Sequence, residues 1–124
     1  LLVASDRDAG AVASAAANAA RAGVGADIAF SRQAVSDLAP PPGCGFVVTN
    51  PPHGRRLSRG ADLRDLYARL GQTLRARCPG WRVALLSPEP KLWTAAGLGL
   101  EPAATVLQGG LRLHLVLGRV PERP

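Results

Sequence analysis

Strand-like and helix-like segments alternate along the first two thirds of this chain. Four apolar, β-prone runs lie at residues 1–4, 27–31, 46–49 and 81–86. Such alternation predicts a mostly parallel sheet, because the chain must cross over the sheet between parallel neighbours. Two further strand candidates, 103–107 and 111–117, are separated by only three residues, which is too short for a crossover and makes them antiparallel. The sequence therefore predicts an α/β fold with a mostly parallel sheet and an antiparallel C-terminal hairpin.

Helix boundaries are also marked in the sequence. An alanine-rich stretch from Ala9 to Ala22 follows Asp8, a candidate N-cap, and Gly23 is a candidate C-cap. A second helix is predicted from Asp62, also a candidate N-cap, because apolar residues recur with helical spacing at Leu63, Leu66, Tyr67, Leu70 and Leu74. A short third helix is predicted between Pro88 and Gly97.

Length and charge limit the organisation of the chain and its partners. The 124 residues are enough for one domain. They contain no methionine and begin in an apolar run, so we expect an N-terminally truncated single domain over 1–124. The net charge of +6 is carried almost entirely by arginine and suits phosphate. A GC-rich genome would explain the same composition equally well.

Two cysteines without paired spacing predict neither a disulfide framework nor a metal site. The sequence also contains no apolar run long enough to span a bilayer. We therefore expect a cytoplasmic protein without a metal and without a membrane partner.

The segment Asn50-Pro51-Pro52-His53 directly follows the most hydrophobic strand candidate. Ligands of open parallel sheets bind at the carboxyl ends of strands. The Asn50 side-chain oxygen and the Pro51 carbonyl could accept hydrogen bonds from a planar amino group and direct its nitrogen to a methyl donor. His53 could stack on a base. A plain loop after a strand would give the same Asn-Pro-Pro pattern.

Asn50-Pro51-Pro52-His53-Gly54-Arg55-Arg56-Leu57 resembles the NPPYG-x-R-L signature of class I methyltransferases that make N2-methylguanine in ribosomal or transfer RNA. Members of this family are often labelled N6-adenine-specific DNA methylases and often carry an N-terminal THUMP domain. The segments 5–8, 18–23, 66–71 and 80–81 are similar to other parts of the family pattern. The resemblance implies a Rossmann-like methyltransferase sheet, S-adenosylmethionine as cofactor, an RNA substrate and an upstream RNA-binding domain.

The resemblance also implies roles for individual residues. Asp6 matches the acidic residue that accepts hydrogen bonds from the cofactor ribose, and Asn50 lies beside the same cofactor. Ala34 replaces an acidic residue that faces the adenine in relatives, which leaves Asp37 as either an adenine contact or a plain loop residue. Arg55 and Arg56 either hold substrate phosphates or are solvated loop residues.

Two departures from the family pattern bear on these expectations. His53 replaces the usual Tyr or Phe. The glycine-rich loop after the first strand is missing, so we expect the sheet to lack that strand. Three alternatives remain: N6-adenine methylation of DNA, methylation of a protein glutamine, and a non-catalytic fragment.

Overall fold

The computed structural model describes residues 2–52 and 60–122, with side chains from residue 63 onward in the second range. The elements follow the order β1 (Leu2–Asp6), α1 (Ala9–Arg21), β2 (Ile28–Arg32), β3 (Phe46–Thr49), α2 (Gly60–Arg77), β4 (Arg82–Ser87), α3 (Pro90–Ala95), β5 (Glu101–Gln108) and β6 (Leu111–Arg119). The chain forms two compact units, the N-terminal unit of residues 1–41 and the C-terminal unit of residues 42–124.

The N-terminal unit is a β-α-β element. Strands β1 and β2 are parallel, with Asp6 opposite Arg32 at the end of the pair. Helix α1 begins where predicted, because the Asp8 side chain accepts a hydrogen bond of 3.2 Å from the Gly10 backbone N–H. It ends before Gly23, whose φ of 77° is easily adopted only without a side chain. Strand β1 runs to Asp6, so it is longer than the predicted run of 1–4.

The C-terminal unit contains a four-stranded mixed sheet in the order β3-β4-β6-β5. Strands β3 and β4 are parallel, whereas β6 is antiparallel to both β4 and β5. Gly109 and Gly110 join β5 to β6 with φ angles of 56° and 79°, which is the geometry of a tight two-residue hairpin turn. The predicted α/β fold class, with its antiparallel C-terminal hairpin, is confirmed.

The core of the C-terminal unit lies between α2, α3 and one face of the sheet. Fully buried members are Tyr67, Leu74, Val83, Leu85, Leu113, Val116 and Val120. Trp93 of α3 is also buried. Helix α2 begins at Gly60, so Asp62 lies inside the helix and the prediction that it is the N-cap was wrong.

Helices α2 and α3 approach each other closely at Gly71. A Cβ atom at this position would lie 2.7 Å from the Ala96 carbonyl carbon, and closer still to its oxygen. The same carbonyl accepts a hydrogen bond of 2.9 Å from Arg75, which also donates to the Gly97 carbonyl at 3.0 Å. A residue without a side chain at 71 therefore allows α2 to cap the end of α3.

Candidate active site

The Asn50-Pro51-Pro52 turn begins at the carboxyl end of β3. Thr49, the last residue of β3, pairs with Leu85, and the parallel strand β4 continues for two residues to Ser87. Asn50 and Pro52 are exposed, whereas Pro51 is buried. The structure therefore presents the Asn50 amide to solvent at the carboxyl edge of a parallel strand pair, which is where such sheets bind ligands.

The two prolines explain why the strand ends here. Pro51 has no N–H to donate to a sheet ladder, and it restricts Asn50 to extended backbone conformations. Pro51 is buried, and its burial fixes the backbone directly after Asn50. The predicted residues His53, Arg55 and Arg56 lie outside the described residues.

A buried hydrogen bond lies at the same end of the sheet. The Tyr67 hydroxyl of α2 donates to the Ser87 hydroxyl at 3.0 Å, and both side chains are fully buried. Burial raises the pKa of Tyr67, and the hydrogen bond to Ser87 partly opposes that rise. This contact fixes α2 against the last residue of β4, next to the strand that leads into Asn50.

The Tyr67–Ser87 contact was not predicted from the sequence, because Tyr67 fits the apolar stripe of α2. The available signal was its hydroxyl, since a buried tyrosine needs a hydrogen-bond partner. Ser87 pairs across the sheet with His114. The His114 ring packs edge-on against Trp93, with centroids 5.5 Å apart.

Asp6 is exposed at the carboxyl end of β1. Its Oδ1 accepts a hydrogen bond of 2.8 Å from the Asp8 N–H, and its backbone carbonyl accepts one of 2.9 Å from Gln33. Arg32 donates to the Arg7 carbonyl at 3.2 Å. Hydrogen bonds thus hold the turn at Asp6, Arg7 and Asp8. Oδ2 of Asp6 has no hydrogen bond to any residue that the structure describes.

Asp37 ends a short 3₁₀ turn, Val35–Asp37, in the same N-terminal unit. Its backbone N–H donates to the Ala34 carbonyl at 3.0 Å, and its side chain is exposed. The Asp37 carboxylate makes no hydrogen bond within the described ranges. Both acidic side chains expected near a cofactor are therefore available to a ligand.

Within residues 2–52 and 60–122 there is neither a cluster of metal-ligand side chains nor a membrane-spanning helix. No group of three or more histidine, cysteine, aspartate or glutamate side chains in these ranges could hold a metal ion. No helix there is long and apolar enough to cross a membrane. Cys44 and Cys78 are free thiols, and burial raises the pKa of Cys78.

Residues 1–115 match the family of RMKL-like methyltransferase domains. The chain belongs to this family, which confirms the resemblance found in the sequence. A ribosomal RNA large subunit methyltransferase K/L from Syntrophotalea carbinolica is 35% identical over 122 residues, which cover 95% of this chain and 17% of that protein. The chain thus spans about a sixth of the length of the curated relatives it matches.

Solved structures give the same result for the fold. A protein from Clostridium difficile, described as a possible methylase, superposes with a TM-score of 0.84 at 25% identity, over 98% of this chain and 32% of that one. A predicted N6-adenine-specific DNA methylase from Listeria monocytogenes superposes with a TM-score of 0.71 at 28% identity, over 94% and 30% of the two chains.

Proposed function

We propose that this chain is part of the catalytic domain of an S-adenosylmethionine-dependent methyltransferase acting on an exocyclic amino group of a base in RNA, N2 of guanine in ribosomal or transfer RNA. The observation that carries the proposal is the exposed Asn50 amide at the carboxyl end of β3, anchored by buried Pro51. Membership of the methyltransferase family supports the reaction type.

The chemistry of an amino group explains why Asn50 and Pro51 suit it. The nitrogen lone pair is conjugated with the ring, so it is a weak nucleophile until the group is oriented. In the proposal, the Asn50 side-chain oxygen and the Pro51 carbonyl each accept one N–H, which keeps electron density on the nitrogen during attack. The proton leaves the nitrogen after transfer, so no general base with a strongly shifted pKa is required.

Asp6 fits the proposed cofactor. S-adenosylmethionine supplies an electrophilic methyl group on a sulfonium centre, and its ribose carries two hydroxyl donors. The Asp6 carboxylate is exposed, and its Oδ2 accepts no hydrogen bond from any described residue. Oδ2 can therefore accept a hydrogen bond from a ribose hydroxyl while Oδ1 keeps its hydrogen bond from the Asp8 N–H. We assign Asp37 to the adenine end of the same cofactor because its carboxylate is exposed.

RNA is the favoured substrate because the curated relative from Syntrophotalea carbinolica is named for ribosomal RNA. The net charge of +6 suits a polyanion. DNA is the second candidate, and the likeness to the Listeria monocytogenes protein favours it. We further propose that Arg55 and Arg56 hold phosphates of the substrate and that His53 stacks on the base. We also propose that residues 1–124 belong to a single domain. The gene is proposed to encode an upstream RNA-binding domain and a cytoplasmic protein.

The test uses the product of the complete gene, whatever its length, with tritiated S-adenosylmethionine and three acceptors: ribosomal RNA, duplex DNA and a glutamine-containing protein extract. We expect label in RNA and N2-methylguanine after digestion. Label in DNA as N6-methyladenine would favour the second candidate. Absence of label in every acceptor would support a non-catalytic protein and refute the proposal.

Substitution of Asn50 tests the central residue. Asn50→Ala should lower kcat by about 100-fold or more, since it removes a hydrogen-bond acceptor used in the transition state. Affinity for S-adenosylhomocysteine, measured by calorimetry, should change little by comparison. Gln72→Ala is the matched control, because it removes another exposed amide, on α2 of the same unit, and should leave kcat unchanged. Full activity in Asn50→Ala would remove the role assigned to this residue.

A further inference from the structure

The β5–β6 hairpin extends beyond the end of β4, at the edge of the sheet where Asn50 lies. Ser87, the last residue of β4, pairs with His114, whereas β6 begins three residues earlier at Leu111. Those three residues correspond to about 10 Å along the strand. Because β5 runs parallel to β4, the hairpin turn projects from the carboxyl edge of the sheet, where β3 leads into Asn50.

The projecting part of the hairpin carries both apolar and cationic side chains. Leu107 is 74% exposed and pairs directly with Arg112, which is also exposed, so the two side chains lie on one face. Leu111 and Val106 are further exposed apolar residues, at 36% and 46%. Residues 102–121 contain no aspartate or glutamate. Arg112 makes no ion pair with any residue that the structure describes.

The turn has the backbone geometry of a tight two-residue hairpin. Gly109 and Gly110 both have positive φ, and a Cβ at either position would meet no atom within 4 Å. The paired strands continue without a bulge from Ala104 to the turn. The Leu107–Arg112 pair is therefore presented on a preformed support rather than on a loop that must be ordered on binding.

We infer that the tip of this hairpin, residues 106–112, contacts single-stranded RNA next to the target base. The inference rests on the proposed function. Arg112 donates to a backbone phosphate, and Leu107 packs against an unstacked base or ribose, as in other single-strand recognition. The absence of acidic residues and the position at the edge that carries Asn50 favour RNA over a purely apolar protein partner.

Arg112→Gln and Leu107→Ser test the contact, and Arg119→Gln provides a matched control. Arg119 is an exposed arginine on the same strand, seven residues and about 24 Å from Arg112, near the opposite edge of the sheet. Affinity for a fluorescein-labelled single-stranded RNA oligonucleotide of mixed sequence is measured by anisotropy at several salt concentrations, with the complete gene product. Thermal denaturation of each variant serves as the check on folding.

We expect Arg112→Gln to weaken RNA binding by about threefold to tenfold and to reduce the salt dependence by about one phosphate contact. Leu107→Ser should weaken binding with the salt dependence unchanged, and Arg119→Gln should have neither effect. If Arg112→Gln and Leu107→Ser both bind RNA as the wild type does, while the wild type still methylates RNA, the inference is refuted and the proposed function stands. A wild type that neither binds nor methylates RNA would refute both.

Discussion

Gly71 provides a sharp test of how α2 and α3 pack. In an exposed helix, replacing glycine by alanine stabilises the protein by up to about 1 kcal/mol, because alanine is the better helix former. Gly71, however, is buried, and a Cβ here would lie 2.7 Å from the Ala96 carbonyl carbon. The Gly71→Ala variant must therefore push α3 away from α2 or distort one of the two helices.

The expected free-energy change follows from opposing contributions. Overpacking at a well-packed contact costs about 1–3 kcal/mol and can exceed this where the neighbour is backbone. Displacement of Ala96 also weakens the hydrogen bonds that Arg75 makes to Ala96 and Gly97, each of which contributes about 1 kcal/mol or more. After subtraction of the gain in helix propensity, Gly71→Ala should lower the free energy of unfolding by about 2–4 kcal/mol.

Urea unfolding followed by circular dichroism measures this change, and the melting temperature should fall by about 10 °C or more. Gly10→Ala is the control, because the atoms nearest to a Cβ at Gly10 belong to the Asp8 side chain and lie no closer than 3.6 Å, which is ordinary contact. Gly10→Ala should therefore be neutral or slightly stabilising. If Gly71→Ala is as stable as the wild type or more so, the close approach of α2 and α3 is wrong.

Two further variants test Asp6 and the Tyr67–Ser87 hydrogen bond. Asp6→Asn keeps an oxygen for the Asp8 N–H but loses the charged acceptor, so affinity for S-adenosylhomocysteine should fall by about tenfold in calorimetry; Asp8→Asn, which preserves the cap, should not change it. Tyr67→Phe leaves the buried Ser87 hydroxyl without its donor and should cost about 1–3 kcal/mol of stability at neutral pH. Because the folded pKa of Tyr67 is raised, its contribution is present below the unfolded value of about 10 and is lost as pH rises through the folded value. The free energy of unfolding of Tyr67→Phe should not show that decrease at alkaline pH. An identical decrease in the variant and in the wild type would contradict the raised pKa of Tyr67.

Local signals in the sequence predicted much of the fold. The N-cap at Asp8 and the glycine at 23, which directly follows the C-cap Ala22, marked the ends of α1, because their side-chain and backbone preferences act within one turn. The gap before Leu111, predicted as three residues and found to be two, is too short for a crossover and required an antiparallel hairpin. Asp62 misled because capping residues are also tolerated inside a first helical turn, so local preference gives a helix start only to within a few residues.

Features that depend on distant residues were not predictable. The Tyr67–Ser87 bond joins residues 20 positions apart and requires that α2 cross the end of β4. The projection of the hairpin depends on the pairing of Ser87 with His114, which no local pattern specifies. The sequence did predict that Asn50 follows a strand, but its exposure depends on how the whole C-terminal unit packs.

The connectivity of the C-terminal sheet has a consequence for the order in which it assembles. Strands β5 and β6 are joined by two residues, so their pairing requires almost no loop closure and can form within microseconds. Strand β3 must instead find β4 across the 32 residues between Thr49 and Arg82, which include all of α2. The segment that presents Asn50 is therefore expected to join the sheet late, after β4 has paired with the hairpin.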